Sequence, residues 1–82
     1  MKESFQRSFD MKIYVLKEYN TDRIVCISEN ILLIKKQLCN KEYFSTEYSD
    51  YPIMSVWDNG IQIEKFEGMD VLRKVAEVIN NN

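Results

Sequence analysis

Two cysteines, Cys26 and Cys39, and six serines supply the usual nucleophile types, but the 82-residue chain contains no histidine to take a proton from them. Ser–His and Cys–His catalysis therefore lacks its base. Histidine-ligated metals and a histidine pH switch are excluded for the same reason. Two carboxylate pairs, Glu64 with Glu67 and Glu47 with Asp50, lie close in sequence and read as solvated surface acids rather than an acid–base couple. Glu47, Asp50 and Asp58 are oxygen donors whose spacing matches no calcium loop. Gly60 and Gly68 stand alone and cannot build a phosphate loop. The expectation is a non-enzymatic chain with no catalytic residue, no metal and no cofactor.

The remaining chemistry is that of a surface. The formal net charge of -2 averages two unlike regions. Between positions 29 and 41, Lys35, Lys36 and Lys41 outweigh Glu29. Between 42 and 67, Glu42, Glu47, Asp50, Asp58, Glu64 and Glu67 face only Lys65. The acidic stretch also holds Tyr43, Phe44, Tyr48, Tyr51 and Trp57, residue types that anchor interfaces because they bury much area at little entropic cost. Tyr43, Phe44, Glu47, Tyr48, Asp50, Tyr51 and Trp57 are thus the candidate contacts to a protein partner, one with a basic surface. Tyr14 and Trp57 on an open sheet can stack bases. The acidity around them, with Gln62 and Glu64 nearby, disfavours nucleic acid.

These residues need elements to hold them. Lys12 to Tyr19 is rich in β-branched and aromatic residues and predicts a strand. Asn20, Thr21 and Asp22 supply a turn, and Arg23 to Ile27 returns. Ser28 is the expected N-cap of a helix over 29–39, with Ile31, Ile34 and Leu38 as its buried stripe. Residues 41–51 read as a loop. Ile53 to Trp57 and Ile61 to Phe66 flank Asn59-Gly60, the preferred type I′ hairpin loop. Asp70 is the expected cap of a last helix with Val71, Leu72, Val75, Ala76 and Ile79 inward. The order ββαββα predicts an α+β fold: one antiparallel sheet of about four strands with two helices on one face.

With a two-residue loop, Val56 is expected opposite Ile63. Met54, Val56, Ile61 and Ile63 then form the core face, and Ile53, Ser55, Trp57, Gln62, Glu64 and Phe66 the other. In the first hairpin, Ile13, Val15, Val25 and Ile27 alternate with Tyr14, Leu16, Ile24 and Cys26, so both faces are apolar. Two helices cover one face, so something else must cover the second. The candidates are an arm carrying Phe5 and Phe9, the tyrosine-rich loop, or a second copy of the chain. Tyr14, Leu16, Ile24, Ile53 and Phe66 are the expected face of a homodimer.

Residues 1–10 show no period and are expected as a flexible arm, or as residues upstream of a start at Met11; 11–80 form the single domain. A chain of this size builds only a small core. Both cysteines are expected to be buried and reduced, which with no apolar leader or span implies a cytoplasmic protein without membrane contact. From Lys12 to about Gly60 the chain resembles small uncharacterised bacterial and phage proteins. The residues that carry the resemblance are the opening strand Lys12 to Tyr19, the step Ile27-Ser28-Glu29 into a helix, and the aromatic hairpin Ser55 to Gly60. The resemblance implies a phage or prophage accessory protein and no particular activity. The functional expectation is a small protein-binding module that modulates or inhibits a host protein, with a homodimeric accessory protein as the alternative.

Overall fold

The computed structural model describes residues 12–44 and 51–81. The elements run β1 (Lys12–Glu18), β2 (Ile24–Ser28), α1 (Ile31–Leu38), β3 (Pro52–Asp58), β4 (Ile61–Glu67) and α2 (Met69–Asn80). The four strands form one antiparallel sheet in the order β2-β1-β3-β4, which is the α+β architecture the sequence predicts. The expected arm over residues 1–10 lies outside the described residues.

The two central strands pair in a single register, Tyr14 opposite Val56, Val15 opposite Ser55 and Leu16 opposite Met54. Side chains alternate along a strand, so Tyr14, Leu16, Met54 and Val56 share one face. All four are buried, beneath Ile31 and Ile34 of α1 and Val71 and Val75 of α2. Each ββα unit contributes in parallel: Tyr14, Leu16 and Ile31 correspond to Met54, Val56 and Val71 at a constant offset. The sheet has an approximate two-fold axis between Val15 and Ser55.

Turn chemistry closes both hairpins. Asn59 and Gly60 have φ of 56° and 80°, as a type I′ loop requires. In the first hairpin Asp22 takes the left-handed conformation (φ 59°), and the Glu18 N–H donates to the Arg23 carbonyl at 2.9 Å. Both helix starts differ from the sequence expectation. Asn30 caps α1, its side chain accepting from the Leu32 N–H at 3.0 Å, and Ser28 Oγ accepts from the Asn30 N–H at 2.9 Å. Helix α2 follows β4 through Gly68 alone, so Asp70 already lies in its first turn and pairs with Arg73.

Gly68 (φ 61°, ψ -130°) occupies a region open essentially to glycine. A Cβ there meets only Tyr51 Cδ1 at 3.9 Å, an ordinary contact, so any cost of substitution is conformational. Gly68→Ala is expected to lower the unfolding free energy by about 1–2 kcal/mol. A urea midpoint equal to that of the parent chain would contradict this.

Two irregularities redistribute side chains between the faces. The β3–β4 register shifts at Val56/Trp57, so Val56 lies opposite Glu64 rather than Ile63. Phe66 therefore lies opposite Met54 on the helix side and packs against the core, while Ile61 and Ile63 are exposed instead of buried. The β1–β2 register shifts between Leu16 and Lys17, which sends Ile24 to the side of Lys17 and Ile53, away from Cys26. On α2 the apolar arc is wider than its buried part: Leu72 and Ala76 are exposed.

Candidate interaction surface

The face of the sheet opposite the helices is built from the odd-numbered residues of β1 and β3 and their cross-strand partners. Three rows cross it. Ile27, Val15, Ser55 and Lys65 form the middle row; Ile24, Lys17, Ile53 and Glu67 lie to one side, and Ile13, Trp57 and Gln62 to the other. Apart from Lys17 and Ser55, apolar side chains occupy the β2, β1 and β3 portion, and Gln62, Lys65 and Glu67 make the β4 portion polar. Ile24 and Ile27 retain 54% and 59% of their accessible surface. Trp57 anchors the patch: its indole Nε1 donates to Ser55 Oγ at 2.9 Å, which fixes the ring along its own strand beside Ile13. Lys17 reaches outward to Asp22, and Lys65 lies near Glu67 at 3.7 Å.

This surface corrects the expected dimer face. Tyr14 and Leu16 are buried under the helices and Phe66 packs with them, so these three form core and no free face. Ile24 and Ile53 do lie on the open side. Ile13, Val15 and Ile27 join them, the reverse of what the expected dimer face implies, because the β1–β3 pairing puts the even-numbered residues of both strands under the helices.

The aromatic residues of the expected partner-binding segment separate. Phe44 packs against the core. Tyr43 lies under the Arg23 guanidinium, 5.2 Å from the ring centroid, at the end of the first hairpin. Tyr51 stacks on Tyr19 with centroids 4.5 Å apart and an interplanar angle of 18°. Trp57 lies on the open face, opposite Ile13. Glu47, Tyr48 and Asp50 lie outside the described residues.

Next to Tyr43 lies a buried polar cluster around Glu18. Glu18 is 3% exposed, and its carboxylate accepts from Arg23 Nε at 2.9 Å, Arg23 Nη2 at 3.2 Å and Thr21 Oγ1 at 2.6 Å. The Glu18 hydrogen bond and its charge push the Arg23 guanidinium further above its ordinary range. That contribution is complete below the ordinary arginine range and fades only as pH rises through the elevated folded value, so it is constant through neutral pH.

The cysteines also differ from expectation. Both are free, but Cys39 is exposed at the end of α1, while Cys26 is half-buried and burial pushes its thiol upward. Cys39 borders an apolar groove of about 220 Å³ between the helices, with Leu38, Leu72, Ala76 and Ile79. Asp58 holds its Oδ1 buried without a hydrogen-bond partner at the far end of β3. Among the described residues no three Cys, Asp or Glu side chains gather as a metal site, and no helix is long and apolar enough to cross a membrane. No protein-family model, curated protein or solved structure matches the chain.

Proposed function

We propose that the protein is a small, non-enzymatic binding module whose open sheet face receives a segment of a protein partner. The observation that carries this reading is the apolar set Ile13, Val15, Ile24, Ile27, Ile53 and Trp57 on the side of the sheet away from both helices. Packed domains cover each apolar sheet face with another layer, and an uncovered one is a place for another element to bind. The polar edge along β4, formed by Gln62, Lys65 and Glu67, gives the patch the apolar centre and polar margin of an interface. A modulator of a host protein, as the phage-like resemblance implies, fits this size and equipment.

The footprint limits the partner. Three strands at their usual spacing and about 20 Å of strand length outline only about 300 Å². A specific complex between folded domains covers about 800 Å² on each side. The patch therefore suits one short element of a partner, such as a helix, better than a whole domain or a second copy of the chain. Trp57→Ala is expected to abolish capture of the partner from native-host extract while leaving the far-UV spectrum and the urea midpoint close to those of the parent. Capture of the same protein at unchanged strength by the Trp57→Ala chain would overturn the reading.

A further inference from the structure

We propose that the trench between α1 and α2 binds an acidic amphipathic helix of a partner protein, on the side of the molecule away from the open sheet face. Helix α2 carries three kinds of surface. Val71, Val75 and Val78 belong to the core. Asp70, Arg73, Lys74 and Glu77 fall within an arc of about 100° on another side. Met69, Leu72, Ala76 and Ile79 occupy the remaining side, within an arc of about 80°. Met69 and Leu72 keep 63% and 44% of their surface. Leu72, Ala76 and Ile79 line the apolar groove of about 220 Å³, with Lys35 and Leu38 of α1 across from them. Leu72 also lines a second cavity of about 440 Å³, with Met69, Tyr51 and Pro52. Leu72 joins the two cavities, so one apolar trench follows α2 from Ile79 to Met69.

The walls select the occupant. Those of the inner groove are two helices, whose backbone groups bond internally and offer no strand edge to an extended chain. An occupant must satisfy its own backbone groups there, as a helix does. The stripe from Met69 to Ile79 is about 15 Å long, the length of about three helical turns. Such an occupant meets it with apolar residues at i, i+3 or i+4, and i+7. Charge decides the rest. The stripe on α2 carries none, and its acidic residues lie on the other side with Arg73 and Lys74. Lys17, Arg23, Lys65, Arg73 and Lys74 each pair with a carboxylate. Lys35 and Lys36 of α1 have no ion pair among the described residues. Their two charges exceed the partial charge of about -0.5 at a helix C-terminus, so the α1 wall is positive. Glu67, at the Met69 end, is offset by Lys65 at 3.7 Å. An acidic flank complements this wall, and a basic one is repelled.

The probe is a fluorescein-labelled, alanine-rich peptide of about 14 residues, with leucines at i, i+3, i+4 and i+7 and glutamates beside them. Its anisotropy is expected to rise saturably as the full chain is added. Exchanging its glutamates for lysines is expected to weaken binding by about tenfold or more, and so is Lys35→Glu with Lys36→Glu in the protein. Leu72→Glu and Ala76→Glu, both at exposed positions, are each expected to abolish binding while keeping the parental far-UV spectrum. Trp57→Ala, on the other side of the sheet, is expected to leave the affinity for this peptide unchanged, so the two surfaces are tested separately. A signal that never saturates, an affinity indifferent to either charge reversal, or binding that survives either glutamate substitution on α2 would overturn the proposal. So would self-association of the parent chain that competes with the peptide and is lost in Leu72→Glu, because that places a second copy in the trench.

Discussion

Leu16→Ala is expected to remove about 2–5 kcal/mol of unfolding free energy. Leu16 is fully buried at the centre of β1, opposite Met54 on one side and Cys26 on the other, beneath Ile34. The substitution loses the transfer energy of three carbons and leaves a cavity that a rigid strand cannot collapse to fill. A chain of 82 residues has a total stability of about 4–12 kcal/mol by the usual per-residue range. One core leucine therefore carries a large share of it. Ile27→Ala, on the open face with more than half its surface exposed, is expected to cost less than about 1 kcal/mol. Urea denaturation followed by far-UV circular dichroism measures both. Equal losses for the two variants would mean that the sheet buries both faces to the same degree, and a larger loss for Ile27→Ala would reverse the assignment of the faces.

That pair of substitutions addresses what sequence reading left open. The alternation in β1 is apolar in both phases, Tyr14 and Leu16 in one and Ile13 and Val15 in the other. Hydrophobicity alone cannot choose between them. The choice comes from the long-range pairing of β1 with β3, a contact between segments forty residues apart that no local pattern encodes. The two register shifts act in the same way. A single extra residue near Ile63 and another near Val25 each move their neighbours to the other face, and neither position carries a glycine to mark it. Local chemistry was readable: Asn59-Gly60 makes the loop expected of it, and Ile31, Ile34 and Leu38 form the inward stripe of α1. The helix starts fall elsewhere than side-chain preference alone predicts, because the geometry of chain entry also selects the capping residue. Ser28 caps the turn that leads to Asn30, and the tight β4–α2 junction selects glycine over an acidic cap. Adjacency in sequence predicts one surface for the aromatic segment. In the fold, Tyr43, Phe44, Tyr51 and Trp57 are distributed among a hairpin end, the core, a stacked pair and the open face.

Glu18→Ala is expected to cost about 2–3 kcal/mol, as the loss of charge-assisted hydrogen bonds from a buried acceptor. Glu18 closes the helix-side face at the end of β1, and its carboxylate gathers Thr21 and the fork of Arg23 across the hairpin turn. The same arginine lies over Tyr43, so the pair also holds the chain that leaves α1 against the end of β2. Glu18→Gln keeps an acceptor for Thr21 and for Arg23 Nε but loses the charge, and is expected to cost less than the alanine variant. Arg23→Ala leaves the buried carboxylate with Thr21 as its remaining bonded partner and is also expected to destabilise. Because Arg23 is itself well exposed, its removal matters chiefly through Glu18, with the contact to the Tyr43 ring a smaller second contribution. A double-mutant cycle separates these contributions. With Glu18→Ala already made, Arg23→Ala is expected to add only the smaller loss of its contact with the Tyr43 ring, since the carboxylate it neutralises is gone. Strictly additive losses would mean that the two side chains stabilise the hairpin independently, and that the end of β1 is fixed by its backbone bonds alone.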